Sequence, residues 1–208
     1  MIFWDLDGPI LDVSEKYYTL YKNILLENNM QALSKKEYWN LKKSKTTLSE
    51  ILAKTNSKKL LEVFKNLWLN NIETHKYQKL DKLQNGIISI LKKFNNKLVL
   101  VTLRRNRVRL LEQLDEFELK NYFETILSSG EDIQPRWKIK YNLINDYLDG
   151  EIANHHMMIG DTESDIIAGN NLGFTTIGVL CGISDKKLID SKPDKILNHT
   201  SELMEHIF

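Results

Sequence analysis

Ile2-Phe3-Trp4-Asp5-Leu6-Asp7-Gly8 is the stretch from which the fold can be read. Apart from the two acids it is apolar without alternation, which predicts a strand over residues 2–6 buried on both faces. A carboxylate at the end of such a strand is costly unless a cation or metal meets it. Asp5 and Asp7 are therefore expected to serve chemistry rather than to fill space. An aspartate after a strand often only caps the next helix. Taken singly, Asp161 and Asp165 fit that plainer role.

Outward from this strand the texture of the sequence changes twice. Tyr17, Leu20, Tyr21, Ile24 and Leu25 follow helical spacing, as do Leu60, Leu61, Phe64, Leu67 and Trp68. Ser34 with Glu37, and Thr47 with Glu50, match the reciprocal capping pattern of a helix start. Residues 13–80 are thus expected to form an all-helical unit. From residue 84 helices and strands alternate. Helices are predicted at 87–94, 106–115, 138–148, 165–172 and 201–207, and strands at 97–102, 125–128, 155–160 and 175–180. Uniformly apolar strands separated by helices imply an α/β fold, a Rossmann-like parallel sheet covered on both faces. Ligands of such sheets bind beyond the carboxyl ends of the strands. Asp5 with Asp7, Thr102 and Asp161 end the first, second and fourth strands and would meet there.

Composition narrows the classes of partner. Lys and Arg number 29 against 28 for Asp and Glu, a net charge of +1, which gives no basic excess for a nucleic acid. Cys181 is the single cysteine, which excludes an internal disulfide framework and suits a reducing compartment. No apolar run approaches the roughly 20 residues needed to cross a bilayer. The N-terminus opens straight into MIFWDLDG, without the pattern of a signal peptide. A cytoplasmic monomer or homodimer with neither a nucleic-acid nor a membrane partner is expected.

In order, the chain carries DLDG at 5–8, Thr102 at a strand end, Lys138 and Lys140 at a helix start, and GDTESD at 160–165. This set resembles the haloacid dehalogenase superfamily of phosphatases and phosphotransferases, and within it the phosphoglycolate-phosphatase-like proteins. The resemblance implies a catalytic core at 1–12 and 81–208 with a helical cap inserted at 13–80. It implies a Mg2+-dependent phosphatase acting on a small phosphorylated metabolite, with Asp5 as nucleophile forming an aspartyl-phosphate. Asp7 would act as general acid and then base, its backbone carbonyl also reaching the metal. Asp5, Asp161 and Asp165 would complete the Mg2+ site, while Thr102 and either Lys138 or Lys140 would hold the phosphoryl oxygens. Gly8, Arg104 and Lys45 are candidate substrate contacts. The plainer reading of Arg104, Arg105, Arg107 and Arg109 is a solvated helix face, and that of Lys45 a solvated loop.

The same scaffold admits a sugar phosphomutase, or a non-catalytic descendant that binds phosphate and Mg2+. Asp7 argues against a dehalogenase, which needs no second acid. The order of the motifs and the helical insertion argue against a signalling receiver domain. His155 and His156 lack partners at metal-ligand spacing and read as a strand edge. Trp4, Trp39, Trp68 and Trp137 are scattered and read as packing.

Overall fold

The apolar N-terminal run forms β1 (Ile2–Trp4), whose three residues are all buried. The computed structural model describes residues 1–94, 98–130, 135–150, 155–183 and 185–206. After β1 the chain runs through β2 (Leu11–Asp12), α1 (Ser14–Glu27), α2 (Lys35–Lys43), α3 (Leu48–Ala53), α4 (Leu61–Asn71), α5 (His75–Gln78) and β3 (Lys82–Leu83). It continues through α6 (Ile87–Lys93), β4 (Leu98–Thr102), α7 (Arg107–Glu116), β5 (Thr125–Ser128), α8 (Arg136–Leu148) and β6 (Met157–Gly160). The remainder comprises α9 (Glu163–Asn171), β7 (Thr175–Val179), α10 (Lys186–Asp190), β8 (Lys195–Leu197) and α11 (Leu203–His206).

Among the described residues one sheet has the order β5-β4-β1-β6-β7-β8. Its pairings are parallel, with Trp4 level with Leu100 on one side and with Ile159 on the other. From β1 the chain builds outward to β5, then returns across β1 and builds the other way. β1 therefore stands at the topological switch point, where such sheets open a crevice at their carboxyl edge. Alternation sends Phe3, Val99, Val101 and Met158 to one face, where they pack with Ile144 and Leu148 of α8 and with Phe174. Trp4 points to the other face and meets Phe94 edge-on at 5.9 Å between ring centroids. Burial of each such side chain contributes about 1.5–3 kcal/mol.

The chain divides into two compact units, Met1–Asp12 with Leu83–Phe208, and Val13–Lys82. β2 and β3 form a second sheet of two strands. The helical unit has its own core of Leu20, Tyr21, Ile24, Leu25, Tyr38, Ile51, Leu52 and Phe64. In that core Tyr21 stacks on Tyr38 at 4.2 Å and Phe64 on Trp68 at 5.7 Å. Ser34 and Thr47 form the two capping boxes, with Glu37 and Glu50 returning to the cap backbone. A buried ion pair, Lys16 Nζ to Asp81 Oδ2 at 2.7 Å, ties the beginning of this unit to its end.

Several boundaries differ from the sequence expectation. The first strand stops at Trp4 rather than at residue 6, because Leu6 turns to accept backbone bonds from Ile10 and Leu11. The strand expected at 155–160 begins at Met157, and His156 instead receives a bond from the Met1 ammonium at 3.0 Å. The terminal helix is split into a short 3-10 turn (Thr200–Glu202) and α11. Residues 97 and 207, included in the expected strand and helix, lie outside the described residues. β2, β3, β8 and α10 are two to five residues long, too short for periodicity to mark them. No helix among the described residues is long and apolar enough to cross a membrane.

Candidate active site

Asp5 follows directly on β1, and its backbone N–H still bonds to the sheet, donating to the Ile159 carbonyl at 2.9 Å. The residue therefore inherits the burial of the strand and is only 7% exposed. Lys140 reaches it from α8, placing Nζ 2.7 Å from Asp5 Oδ1 and also bonding Asp165 Oδ1. Lys138, two positions earlier on the same helix, is exposed. A helix turns by about 100° per residue, so side chains two apart point to nearly opposite sides. Of the two candidate lysines the fold brings Lys140 to the aspartates.

Asp161 and Asp165 are fully buried. Asp165 combines two roles. Its Oδ2 accepts from the Thr162 backbone at 3.0 Å and from the Thr162 hydroxyl at 2.7 Å, capping α9, while Oδ1 faces Lys140. The plain capping role and a place in the cluster are thus compatible. Asp161 caps no helix, because Thr162 is the N-cap of α9. Instead its Oδ2 accepts from the Ile183 backbone at 2.6 Å, in the turn after β7. Its Oδ1 is buried and has no hydrogen-bond partner.

These groups set one another's charge. Burial above all pushes the Asp5 carboxyl up to about 7; the Lys140 ammonium pulls it back, and Asp165 and Asp7 push it further. Burial, then Asp5 and Asp165, raise Asp161 well above the usual carboxylate range. Burial alone would lower Lys140, but the Asp165 and Asp5 carboxylates outweigh it and hold the amine protonated. Three buried carboxylates around one ammonium leave the site short of positive charge, so it draws either protons or a cation.

The loops around the cluster leave room for little else. Gly8 has φ +114°, and any β-carbon there would run into the Asp161 carboxyl. A β-carbon at Gly182 would strike the same carboxyl. The Gly8 carbonyl accepts from Gln84 Nε2 at 2.8 Å, and the Pro9 carbonyl accepts from the Thr200 hydroxyl at 2.8 Å. His199 completes this support. Its Nδ1 accepts from the Ser201 N–H at 3.1 Å, which leaves Nε2 to donate to Gln84 Oε1 at 3.1 Å. Sequence reading missed Gln84, Gly182, Ile183, His199 and Thr200. Only Gly182, just past a predicted strand, carried a readable signal, since glycine marks a close approach of backbone.

Thr102 ends β4 and is buried, and its hydroxyl accepts from the Arg104 N–H at 3.3 Å. Arg104 departs from the expectation of a solvated helix face. It precedes α7, is buried, and grips Asp7 through Nε at 2.7 Å and the second terminal nitrogen at 2.6 Å. Arg107 and Arg109 do lie on α7, bonding Ser128 and Glu112. Lys45 belongs to the helical unit, in the loop between α2 and α3, with φ +56°.

Asp5, Asp161 and Asp165 each offer a carboxylate oxygen within 4.8 Å of the others. An all-oxygen, strongly anionic donor set suits a hard divalent cation such as Mg2+. Asp161 Oδ1, buried without a partner, is the atom such an ion would satisfy. Asp165 has both oxygens engaged by Thr162 and Lys140, which suits it to orienting its neighbours. The side chain of Asp7 is not among these donors.

Comparison with known proteins agrees with this geometry. Residues 2–179 match the haloacid dehalogenase-like hydrolase family. The chain is 30% identical over 127 residues to a phosphoglycolate phosphatase from Neisseria gonorrhoeae, a match covering 58% of this chain and 52% of that relative. It thus spans about half of that protein's length. It is 27% identical to a phosphoglycolate phosphatase from Aquifex aeolicus, over 99% of this chain and 95% of the relative. A haloacid dehalogenase-like family hydrolase from Streptococcus pneumoniae superposes with a TM-score of 0.78 at 19% identity, covering 100% of this chain and 97% of that one. Similarity at that identity speaks for the fold alone. With a sequence match that takes in most of the chain and a cluster of aspartates at the switch point of a parallel sheet, the chain belongs to the haloacid dehalogenase-like hydrolase family.

Proposed function

We propose that the chain is a Mg2+-dependent phosphatase of small phosphorylated metabolites, phosphoglycolate-phosphatase-like, working through an aspartyl-phosphate on Asp5. The observation that carries this reading is the charge of the cluster. Three buried carboxylates share one ammonium, an arrangement that suits an ion and a phosphoryl group together. When bound, Mg2+ supplies positive charge against the phosphoryl oxygens and against the carboxylates around it.

Asp5 is the nucleophile in this scheme. Lys140 keeps one of its oxygens oriented and offsets the charge of the incoming phosphate. Asp7 gives a proton to the departing ester oxygen, then takes one from the water that opens the aspartyl-phosphate. Thr102 offers its hydroxyl to a phosphoryl oxygen. Asp161 and Asp5 would hold the ion, with Asp165 keeping Lys140 in place. Lys45 is proposed to meet the substrate's leaving group, and Gly8 to hold the loop close to the phosphate. A cytoplasmic setting, with no nucleic acid or membrane as partner, accompanies this reading.

The test is hydrolysis of para-nitrophenyl phosphate and a panel of metabolite phosphates, with Mg2+ and with EDTA, for wild type and Asp5→Asn. Turnover that needs Mg2+ and vanishes in Asp5→Asn is expected, and the best panel member would name the substrate class. A folded wild type that hydrolyses nothing would reject the reading. In the same assay Lys45→Ala should raise KM or reorder the substrate preferences; unchanged kinetics throughout would remove Lys45 from the site.

A further inference from the structure

Arg104 is a buried cation that the scheme above leaves without a task. It lies in the turn between Thr102 and Asn106, the N-cap of α7, and its side chain is 4% exposed. Two of its nitrogens meet the two oxygens of one carboxylate, Nε to Asp7 Oδ2 at 2.7 Å and the second terminal nitrogen to Oδ1 at 2.6 Å. Such a fork fixes the plane of the carboxylate as well as its distance. A lysine at the same place would supply the charge and leave the carboxylate free to rotate. The turn is itself anchored, because the Arg104 N–H donates to the Thr102 hydroxyl. A surface pair would contribute little, but this one is buried on the arginine side and follows directly from two strand ends that flank the candidate nucleophile.

A carboxylate gripped in this way is held in one orientation at the carboxyl edge of the sheet. We propose that Arg104 is the positioning residue of Asp7, holding it as the base for the water step. This inference rests on the phosphatase reading. In the first step the Asp5–phosphorus bond forms as the phosphorus–oxygen bond to the leaving group breaks, and the departing oxygen takes the Asp7 proton. In the second, water attacks phosphorus, its proton passes to Asp7, and the Asp5–phosphorus bond breaks to release inorganic phosphate. Arg104 orients the acceptor in that second step and does not touch the substrate.

A slowed water step has a kinetic signature that a binding or purely structural role lacks. When breakdown of the aspartyl-phosphate limits turnover, kcat and KM fall together and kcat/KM stays nearly constant. The experiment is rapid-quench hydrolysis of para-nitrophenyl phosphate by wild type, Arg104→Met, Arg104→Lys, Asp7→Asn and Asp7→Asn/Arg104→Met, with acid-stable phosphoprotein counted. Arg104→Met is expected to give a burst of about one nitrophenolate per enzyme. Its steady state should be about 100-fold slower than wild type, the order of a general-base contribution, with kcat/KM within about 3-fold. Arg104→Lys should also be slowed, because it keeps the charge and loses the fork. Adding Arg104→Met to Asp7→Asn should change the rate by less than about 3-fold, since the arginine acts only through Asp7.

A raised KM with kcat untouched would make Arg104 a substrate contact and overturn the proposal. So would losses that multiply in the double variant, or a burst that shrinks with the steady state. If Arg104→Met does not fold, Arg104→Lys decides, and wild-type turnover there would overturn the proposal. A wild type without Mg2+-dependent turnover rejects the phosphatase reading and this inference with it. An active wild type with any of the overturning patterns rejects the inference alone.

Discussion

At the scale of single residues, Lys140 and Lys138 offer the sharpest contrast. They are the same amino acid two positions apart on α8, one buried against Asp5 and Asp165, the other exposed. Removing one partner of a buried ion pair costs about 3–5 kcal/mol, because the other charge is left without compensation. Lys140→Met leaves two carboxylates in that position, so it should lower the melting temperature of the metal-free protein. It should also cut kcat by about 100- to 1,000-fold, the range for losing one preorganised donor to a developing oxyanion. Lys138→Met should stay within about 0.5 kcal/mol of wild type, as exposed substitutions do. Paired measurements of kcat and melting temperature check both variants. Equal losses at the two positions would mean that α8 does not select between its lysines in this way.

At the scale of elements, what could be read in advance depended on how much chain a signal occupies. The apolar runs of β1, β4, β6 and β7 and the amphipathic α1 and α4 extend over enough residues for periodicity to mark them, and they disclose the parallel α/β class. β8 and α10 each carry only two apolar residues beside lysines, and leave no such trace. For Arg104 only the solvated-face alternative fails, and for a different reason. A run of arginines suggested one helix face, yet Asn106 is the N-cap, its side chain accepting from the Arg109 N–H at 3.1 Å. Residues 103–105 thus lie between β4 and the helix, and a capping residue in that run is the available clue. Lys140 stands four and eight residues before Ile144 and Leu148, on the buried side of α8, a spacing that favours it over Lys138; only its meeting with Asp5 waits on the fold. The supports at Gln84, His199 and Ile183 are contacts between distant segments that no local pattern announces. The capping boxes are the opposite case, since both partners lie within four residues and the sequence states them outright. Each satisfies exposed helix-start amides at Ser34 and Thr47. Losing such a cap costs about 1 kcal/mol, which shifts a melting temperature by about 2–4 °C in a chain of this size. Ser34→Ala and Thr47→Ala should each show that drop in the melting of the whole chain, with Mg2+ binding unchanged. No shift in calorimetry for either variant would mean that the caps carry no weight in that unit.

At the scale of the whole molecule, the cluster makes stability depend on pH and on metal together. Asp5, held at about 7 chiefly by burial, and Asp161, raised in the same direction, retain protons in the folded chain that the unfolded chain releases near 4. Between about pH 4 and pH 7 the folded state thus binds more protons, and linkage makes stability fall as pH rises. The contribution is fully present below the unfolded value and is lost as pH climbs through about 7. Glu15, Glu37 and Glu50 are shifted the other way, chiefly by their hydrogen bonds to Lys35, Ser34 and Thr47, so their contribution is lost as pH falls rather than as it rises. In EDTA the melting temperature should therefore decline between pH 5 and pH 8. Asp5→Asn, which removes the group held at about 7 and its push on Asp161, should decline less steeply, and that difference reports the carboxylate cluster apart from side chains outside it. Mg2+ should oppose the trend. An ion that binds the folded chain stabilises it by about 2.7 kcal/mol at a hundredfold excess over its dissociation constant, and it competes with protons for the same oxygens. Its stabilising effect should accordingly grow from pH 5 to pH 8, as the carboxylates give up their protons. A melting temperature in EDTA that is flat or rising across this range, with Asp5→Asn parallel to wild type, would show that the buried carboxylates are not the groups that set the stability of the metal-free protein.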